Sequence, residues 1–305
     1  MPIKIVRALR QQPGVTTERF QEVWRQEVGP QVASLQTGLQ LIKYVQIHRT
    51  PGAMDDSLRA MRPNLVQAEA PYDIVDEFHF DGVEADFLAN YGSETGSRAW
   101  KALVQVGSQH LDLGRCQMRL VEERPFVLPG SPDSLVASEY NHVVRAVVFA
   151  DAFTVDGDDG ALTRSLEYWA RSHAALTQRW APSLGVLKYV QNYPYDGPVA
   201  EKLAEDGAGA WAWALPSSQR AQDQDQDQDQ DQAQDQAPKA VGVDAPYKIH
   251  MYAAVWFSSR PPQPDDTAKR ARLEIRRDED SGFMRPNSMM CFVGKEHVFV
   301  DRYRA

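Results

Sequence analysis

An internal repeat constrains the fold of this chain more than any other feature of the sequence. Trp24 to Gln46 aligns without gaps on Trp169 to Gln191, at a constant offset of 145, and both copies end in Lys-Tyr-Val-Gln. Upstream, Val6-Arg7-Ala8-Leu9 resembles Val144-Arg145-Ala146-Val147 at an offset of 138. A duplication of this kind predicts two domains of one fold within the 305 residues.

Hydrophobic periodicity predicts the element order β-α-β-β-α-β in each copy. The segments taken as strands are short and rich in β-branched and aromatic residues. They cover residues 3–9, 39–48, 73–81 and 116–123 in the first copy and 143–149, 186–193, 248–257 and 291–302 in the second. The second helices are expected at 83–106 and 265–279. The predicted fold class is therefore α+β, with two ferredoxin-like repeats.

The composition of two segments sets the domain boundaries. Residues 125–134 carry three prolines and a glycine, so residues 127–141 are predicted to link a domain at 1–126 to one at 142–305. The second domain also carries an insertion at 194–245, in which Gln and Asp alternate without an apolar face. We expect this insertion to be disordered over about 216–240.

Charge and hydropathy limit the classes of partner. The net charge is −9, but six of the acidic residues lie in the Gln/Asp run, and without them the charge is −3. The sequence has no stripe of basic residues of the kind that binds nucleic acid. No apolar stretch is long enough for a signal peptide or a membrane span. The two cysteines do not form a disulfide framework. The expected location is the cytoplasm.

The repeat resembles the EthD domain family. The resemblance rests on Trp24 ahead of Gly29-Pro30, on Tyr44-Val45-Gln46-Ile47-His48, and on residues 72–80 in the first copy. In the second copy it rests on Trp169, His173, Tyr189-Val190-Gln191-Asn192-Tyr193 and Trp256-Phe257. It covers most of residues 1–125 and, more loosely, 142–305. The resemblance implies an intramolecular dimeric α/β barrel, in which one chain supplies both units.

The two copies depart from the family pattern in different ways. That pattern has a histidine before Gly-Pro in the first helix and another at the end of the second strand. The first copy has Val28 at the helix position and His48 on the strand, whereas the second has His173 on the helix and Tyr193 on the strand. Either one copy is active and the other supports it, or both have lost the chemistry of the family.

Candidate catalytic residues in the second copy lie on the first helix and the second strand. His173 is a candidate general acid/base because an imidazole transfers protons in both directions near neutral pH. Tyr189, Gln191 and Tyr193 share a strand face, where they could hydrogen-bond a phenolic or enolic oxygen. The alternative is a core histidine bonded to backbone and two tyrosines packed as ordinary strand residues.

In the first copy, Tyr44, Gln46 and His48 share one strand face, and Glu77 and His79 share a face of the third strand. A carboxylate beside an imidazole is a workable acid/base pair, and adjacent strands could bring His48 close to it. A solvated strand face is the alternative. The predicted substrate-binding residues are aromatic or polar neighbours of these groups: Trp169, Tyr44, Gln46, His250, Tyr252 and Trp256.

The motifs of several cofactor sites are missing from the sequence. It contains no dinucleotide-binding glycine motif, phosphate loop, nucleophile elbow or zinc-type spacing of Cys and His. The resemblance implies a cofactor-independent lyase that decarboxylates or dehydrates an aromatic, polyketide-like small molecule in secondary metabolism. A cofactor-free oxygenase and a non-catalytic binding protein are the alternatives. Association of two chains through strand edges stays open.

Overall fold

A computed structural model describes residues 3–126, 128, 135–154, 158, 160–206, 249–259 and 265–303. The predicted disordered segment at 216–240 and much of the predicted linker lie outside these residues. The strands are β1 Lys4–Leu9, β2 Leu41–Arg49, β3 Ile74–Phe80, β4 Gln117–Phe126, β5 Val143–Ala150, β6 Val186–Pro194, β7 Met251–Ser258 and β8 Met290–Asp301. The α-helices are α1 Thr17–Val23, α2 Gly29–Ser34, α3 Gln36–Leu39, α4 Ala53–Ala60, α5 Glu84–Gly92, α6 Glu94–Gln105, α7 Ala161–Tyr168, α8 Ala174–Leu184, α9 Pro198–Asp206 and α10 Asp266–Glu279.

The eight strands form one closed antiparallel barrel in the order β1-β3-β2-β8-β5-β7-β6-β4. The positions of all eight predicted strands and the mixed helix and strand content are confirmed. Within each half the order is the same, β4-β1-β3-β2 in the first and β8-β5-β7-β6 in the second. The halves join edge to edge, because β2 pairs with β8 and β4 pairs with β6. Closure leaves no free strand edge in this barrel.

The register corrects one part of the repeat alignment. Arg7 pairs with Asp76 by a 2.6 Å ion pair on the outer, helix-covered face, whereas Arg145 points into the barrel interior. The match of residues 6–9 to 144–147 therefore places equivalent arginines on opposite faces of the sheet. A one-residue slip in a strand exchanges its faces, so a four-residue sequence match does not fix the register.

The barrel interior combines an apolar cluster with a buried charge network. Glu77 accepts hydrogen bonds from Arg145 at 2.5 and 3.0 Å and from the Tyr252 hydroxyl at 2.5 Å, and its carboxylate lies 2.9 Å from the Lys4 amine. Arg145 also donates to Glu296 at 2.9 Å. Burial alone would raise the pKa of Glu77, but Arg145 and Lys4 hold it well below its usual value. These contacts tie strands of both halves together.

The first helix of each half contains a π-helical turn that begins at the repeated tryptophan. These turns span Trp24–Val28 and Trp169–His173. The amide of Gln46 donates to the Trp24 carbonyl at 2.9 Å, and Gln191 donates to the Trp169 carbonyl at 3.0 Å. The repeated Trp and Gln residues thus fasten the first helix of each half to its second strand.

The turn into the second strand differs between the halves. In the second half, Gly185 has φ of 65° at the end of α8. In the first half Gln40 takes the left-handed position, with φ of 56°, and Gly38 lies within α3. A residue other than glycine in this conformation costs roughly 1–2 kcal/mol. Gln40 is the residue that the gapless alignment places opposite Gly185.

The segment after the second strand of each half crosses to the other half. In the first half, α4 packs on β8, and the Asp55 carboxylate accepts a hydrogen bond from the Val293 backbone N–H at 3.1 Å. In the second half, α9 packs against α5, and Val199 and Leu203 enter the core of the first half. The predicted insertion at 194–245 therefore begins with an ordered helix. Each outer face is completed by the opposite repeat.

Candidate functional site

A cavity of about 650 Å³ lies on the outer face of the second half. Small side chains of the sheet form part of its floor, and among them are Ala146, Ala150 and Ala253. Residues of α8 and α10 line its sides, and α4 of the first half contributes Met54 and Leu58. The volume lies in the range typical of small-molecule pockets.

Methionine is over-represented in the wall of this cavity. Five of the eight methionines of the chain line it: Met54, Met61, Met251, Met284 and Met289. Methionine is unbranched and polarizable, and its sulfur packs favourably against aromatic rings. The wall therefore suits a flat apolar ligand and can adjust to its outline.

His173 lines this cavity at the end of the π-helical turn, where its side chain is 10 % exposed. Its Nδ1 lies 2.7 Å from the Asp278 carboxylate, and its ring packs against Phe283 at a centroid distance of 5.2 Å. Tyr168 also donates to Asp278, at 2.6 Å. Burial pushes the pKa of Asp278 upwards, but the hydrogen bonds from His173 and Tyr168 hold it below its usual value. Asp278 is therefore an ionised acceptor.

The charge on Asp278 fixes the tautomer of the neutral imidazole. An ionised carboxylate can only accept, so the proton of His173 lies on Nδ1 and Nε2 carries the lone pair. The Thr177 hydroxyl is 3.5 Å from Nε2, and Thr177 also lines the cavity. The arrangement is that of an imidazole oriented by a carboxylate, with its basic nitrogen beside the hydroxyl of a residue that lines the cavity.

Tyr189, Gln191 and Tyr193 form a chain of hydrogen bonds beside this pair. Gln191 donates to the Tyr189 hydroxyl at 2.7 Å and accepts from the Tyr193 hydroxyl. Tyr189 lines the cavity, whereas Gln191 is fully buried and its amide is occupied by protein groups. Burial raises the pKa of Tyr189, so its hydroxyl stays protonated and can donate a hydrogen bond. Trp169, at the start of the turn, lines the same cavity.

The equivalent place in the first half is packed. Val28 stands where the second half has His173, and its side chain lies in a core with Trp100, Leu103 and Leu203. Tyr44 stacks on Phe78 with ring centroids 4.8 Å apart. The predicted binding residues Tyr44 and Gln46 are thus fully buried core groups.

His48 lies apart from Glu77 and His79, contrary to the expectation that adjacent strands bring them together. His48 pairs with Ile74, and Val45 pairs with Glu77, so His48 and Glu77 face opposite sides of the sheet. His48 donates to Gln46 at 2.9 Å and packs against His297 at a centroid distance of 4.4 Å. Glu77 belongs to the charge network inside the barrel, where His79 lies 3.8 Å from it.

The three candidates on the third strand of the second half also separate. Tyr252 and Trp256 face the barrel interior, and the Trp256 indole donates to Glu296 at 2.8 Å. His250 precedes β7, and its Nδ1 contacts the Asp151 carboxylate. None of these three residues lines the His173 cavity.

Several charged residues of the cavity were not singled out by the sequence. Arg62 forms a bidentate ion pair with Glu279, at 2.8 and 2.9 Å, and both residues line the cavity. Arg272 and Arg276 of α10 line it as well. Asp278 had no distinguishing local pattern, because it is one of several acidic residues in a highly charged helix. Among the described residues, no three His, Cys, Asp or Glu side chains converge as a metal site would require.

These features define a mixed α/β protein with a closed eight-stranded antiparallel barrel and a polar-edged apolar cavity on one outer face. No protein-family model and no curated protein matches the chain. Within the described ranges, no helix is long and apolar enough to cross a bilayer.

Similar solved structures include two provisionally assigned monooxygenases. The protein from Lactobacillus acidophilus is 8 % identical, with a TM-score of 0.40 over 99 % of this chain and 96 % of that one. The protein from Fusobacterium nucleatum is 6 % identical, with a TM-score of 0.38 over 98 % and 92 %. A mutant chlorite dismutase from Candidatus Nitrospira defluvii is 10 % identical, with a TM-score of 0.36 over the same shares. The strand pairing of this chain by itself defines its closed barrel.

Proposed function

We propose that this chain is an enzyme built from two ferredoxin-like repeats closed into an intramolecular dimeric α/β barrel, with its active site in the His173 cavity. The observation that carries the proposal is that His173, in the wall of a cavity of about 650 Å³, lies 2.7 Å from the Asp278 carboxylate. A partly buried carboxylate that fixes the imidazole tautomer is the arrangement of a general acid/base.

The proposed reaction is a lyase reaction, independent of a cofactor, on an aromatic, polyketide-like molecule. In a dehydration, His173 Nε2 removes a proton from carbon, and the electron pair moves into the adjacent carbonyl. The resulting enolate expels hydroxide, which takes the proton from His173 and leaves as water. In a decarboxylation, the carbon–carbon bond breaks, carbon dioxide leaves, and protonated His173 supplies the proton to the enolate.

The tyrosine chain supports the oxyanion in either reaction. The Tyr189 hydroxyl is protonated and accepts from Gln191, so its own proton is available to the developing enolate oxygen. Gln191 and Tyr193 do not reach the ligand in this scheme and instead position Tyr189. Asp278 stabilises the imidazolium that forms when His173 takes a proton.

The first experiment measures turnover of aromatic β-hydroxy ketones and aromatic β-keto acids by the wild type, His173→Asn and Asp278→Asn. We expect His173→Asn to reduce kcat by roughly 10²–10⁴-fold. Asp278→Asn should lower kcat less, with little change in KM, because it removes the acceptor that orients the imidazole. An unchanged kcat in His173→Asn contradicts the proposal.

An oxygen electrode in the same assays separates the lyase from a cofactor-free oxygenase. The lyase reaction consumes no oxygen, and carbon dioxide or water is its only small product. Oxygen uptake that depends on His173 would instead assign the cavity to oxygenation. Recovery of every bound ligand unchanged would favour the binding role.

A further inference from the structure

The cavity wall has an uneven distribution of charge. Glu279 is neutralised by the bidentate contact with Arg62, and Asp278 is engaged by His173 and Tyr168. Arg272 and Arg276 remain on the α10 side of the wall. Arg276 forms an ion pair with Asp280 at 3.7 Å, and within the described residues Arg272 forms no ion pair. The wall therefore carries an excess of positive charge.

The other basic residues near the start of α10 form ion pairs with acidic residues of the same helix. Lys269 pairs with Asp266 at 3.1 Å, and Arg270 pairs with Glu274 at 2.8 Å. Arg272 and Arg276 are one helical turn apart with like charges, an arrangement that slightly destabilises a helix. Both arginines line the cavity, and Arg272 has no ion-pair partner among the described residues.

The distance along the helix separates Arg272 from the acid/base group. Arg272 precedes Asp278 by six residues, which corresponds to roughly 9 Å along an α-helix. Asp278 contacts His173 directly. A ligand that contacts both Arg272 and His173 therefore carries polar groups at two separate positions.

We propose that the ligand of this cavity is an amphipathic aromatic acid, whose anionic group is held at the mouth by Arg272 and Arg276 while its apolar body lies against the methionines. The guanidinium groups match carboxylate or sulfonate geometry and bind it by charge-assisted hydrogen bonds. The inference rests on the proposed function for the reacting end of the ligand. The anionic group remains on the product, because it lies away from His173.

Two fluorescent probes that differ by one charge test this inference. They are 1-anilinonaphthalene-8-sulfonate and N-phenyl-1-naphthylamine, which lacks the sulfonate. Titration of the full-length wild type should give a lower Kd for the sulfonate. In Arg272→Gln/Arg276→Gln we expect its Kd to rise roughly tenfold or more, because a charge-assisted contact is lost, while the Kd of the uncharged probe is unchanged.

Arg277→Gln is the matched control, because Arg277 is an exposed arginine of the same helix that does not line the cavity. It should leave both dissociation constants unchanged. Competition with 2-naphthoate and 2-naphthamide repeats the comparison with a carboxylate. The inference is overturned if Arg272→Gln/Arg276→Gln changes the Kd of both probes equally. It is also overturned if Arg277→Gln raises the Kd of the sulfonate as much as Arg272→Gln/Arg276→Gln does.

The test distinguishes failure of this inference from failure of the proposed function. His173→Asn should reduce kcat by roughly 10²–10⁴-fold and leave binding of the sulfonate unchanged. If the arginine variants bind both probes as the wild type does while His173→Asn is inactive, the acid/base role stands and the anion site is wrong. If the arginine variants lose only the sulfonate and His173→Asn is fully active, the anion site stands and the catalytic role is wrong.

Discussion

The two halves of the barrel have the same strand order and the same π-helical turn, yet one outer face is packed and the other encloses a cavity. In the first half, Arg7 and Asp76 form a buried ion pair, the Trp24 indole donates to Asp76 at 3.1 Å, and Phe78 lies under the Arg7 guanidinium. The second half has alanines such as Ala146 and Ala253 in its floor. The cavity results from small sheet residues rather than from a different fold.

The comparison of the two halves separates residues that maintain the fold from residues that differ at the candidate site. The Gln amide that fastens the π-helical turn is present in both halves, as Gln46 and Gln191, so its role is structural. Val28 and His173 occupy the same position in the two turns and differ completely in chemistry. The position of Val28 and His173 is therefore a better candidate for function than the position of the repeated Gln.

The largest effect on stability is expected from Asp76→Ala. This change leaves the Arg7 guanidinium buried without its carboxylate, and we expect the free energy of unfolding to fall by about 3–5 kcal/mol. Asp278→Ala in the second half is the matched change and should cost about 0.5–1.5 kcal/mol, because it removes hydrogen bonds beside a cavity. Urea unfolding measures both, and equal losses would contradict the contrast between the halves.

The two crossover segments provide the next comparison. Leu203 lies fully buried in the core of the first half, so Leu203→Ala should cost about 2–5 kcal/mol. Leu58 borders the cavity of the second half and is half-buried, so Leu58→Ala should cost about 1 kcal/mol. The comparison fails if Leu58→Ala is the more destabilising of the two in urea unfolding.

Filling the cavity should remove function with little change in stability. In Ala253→Phe the new ring occupies existing space, so the free energy of unfolding should change by less than about 1 kcal/mol while turnover and probe binding are lost. Ala99→Phe, in the packed core of the first half, should cost about 1–3 kcal/mol through overpacking. Thermal melts and probe titrations measure the two outcomes, and retained probe binding in Ala253→Phe would be the contrary result.

The smallest expected effect concerns the two seams between the halves, which are the β2–β8 and β4–β6 strand pairings. Burial, with help from His297 and Arg25, holds the pKa of His48 well below its usual value, so the folded state keeps this imidazole neutral. The unfolded chain binds the proton more readily, so stability should be full above about pH 7 and fall as the pH drops below roughly 6.5.

His48→Gln should make this loss smaller between about pH 7.5 and 5.5 in urea unfolding. Tyr193→Phe, at the equivalent position in the other seam, is the control, because it removes no group that titrates in that window. An undiminished pH dependence in His48→Gln would assign the loss to other buried groups such as His79, whose pKa burial also lowers.

The candidate site was only partly predictable from the sequence. His173, Tyr189 and Trp169 were singled out and line one cavity, because the helix and strand that carry them are adjacent in the repeat. Asp278, Arg272 and Arg276 were missed, since their helix is highly charged throughout and its inward face depends on how it packs. His48 and Glu77 were placed together because sequence alternation gives two faces for each strand but not which faces coincide.

The sequence by itself determined the duplication, the eight strands and the repeated Trp and Gln residues, because periodicity and self-similarity are local properties of the chain. Only the tertiary structure decided that β2 pairs with β8, that the crossover helices exchange between the halves, and that one outer face is hollow. These depend on contacts between residues far apart in the chain. Such contacts depend on how the volumes and charges of several segments fit together. No single segment of the sequence contains that information.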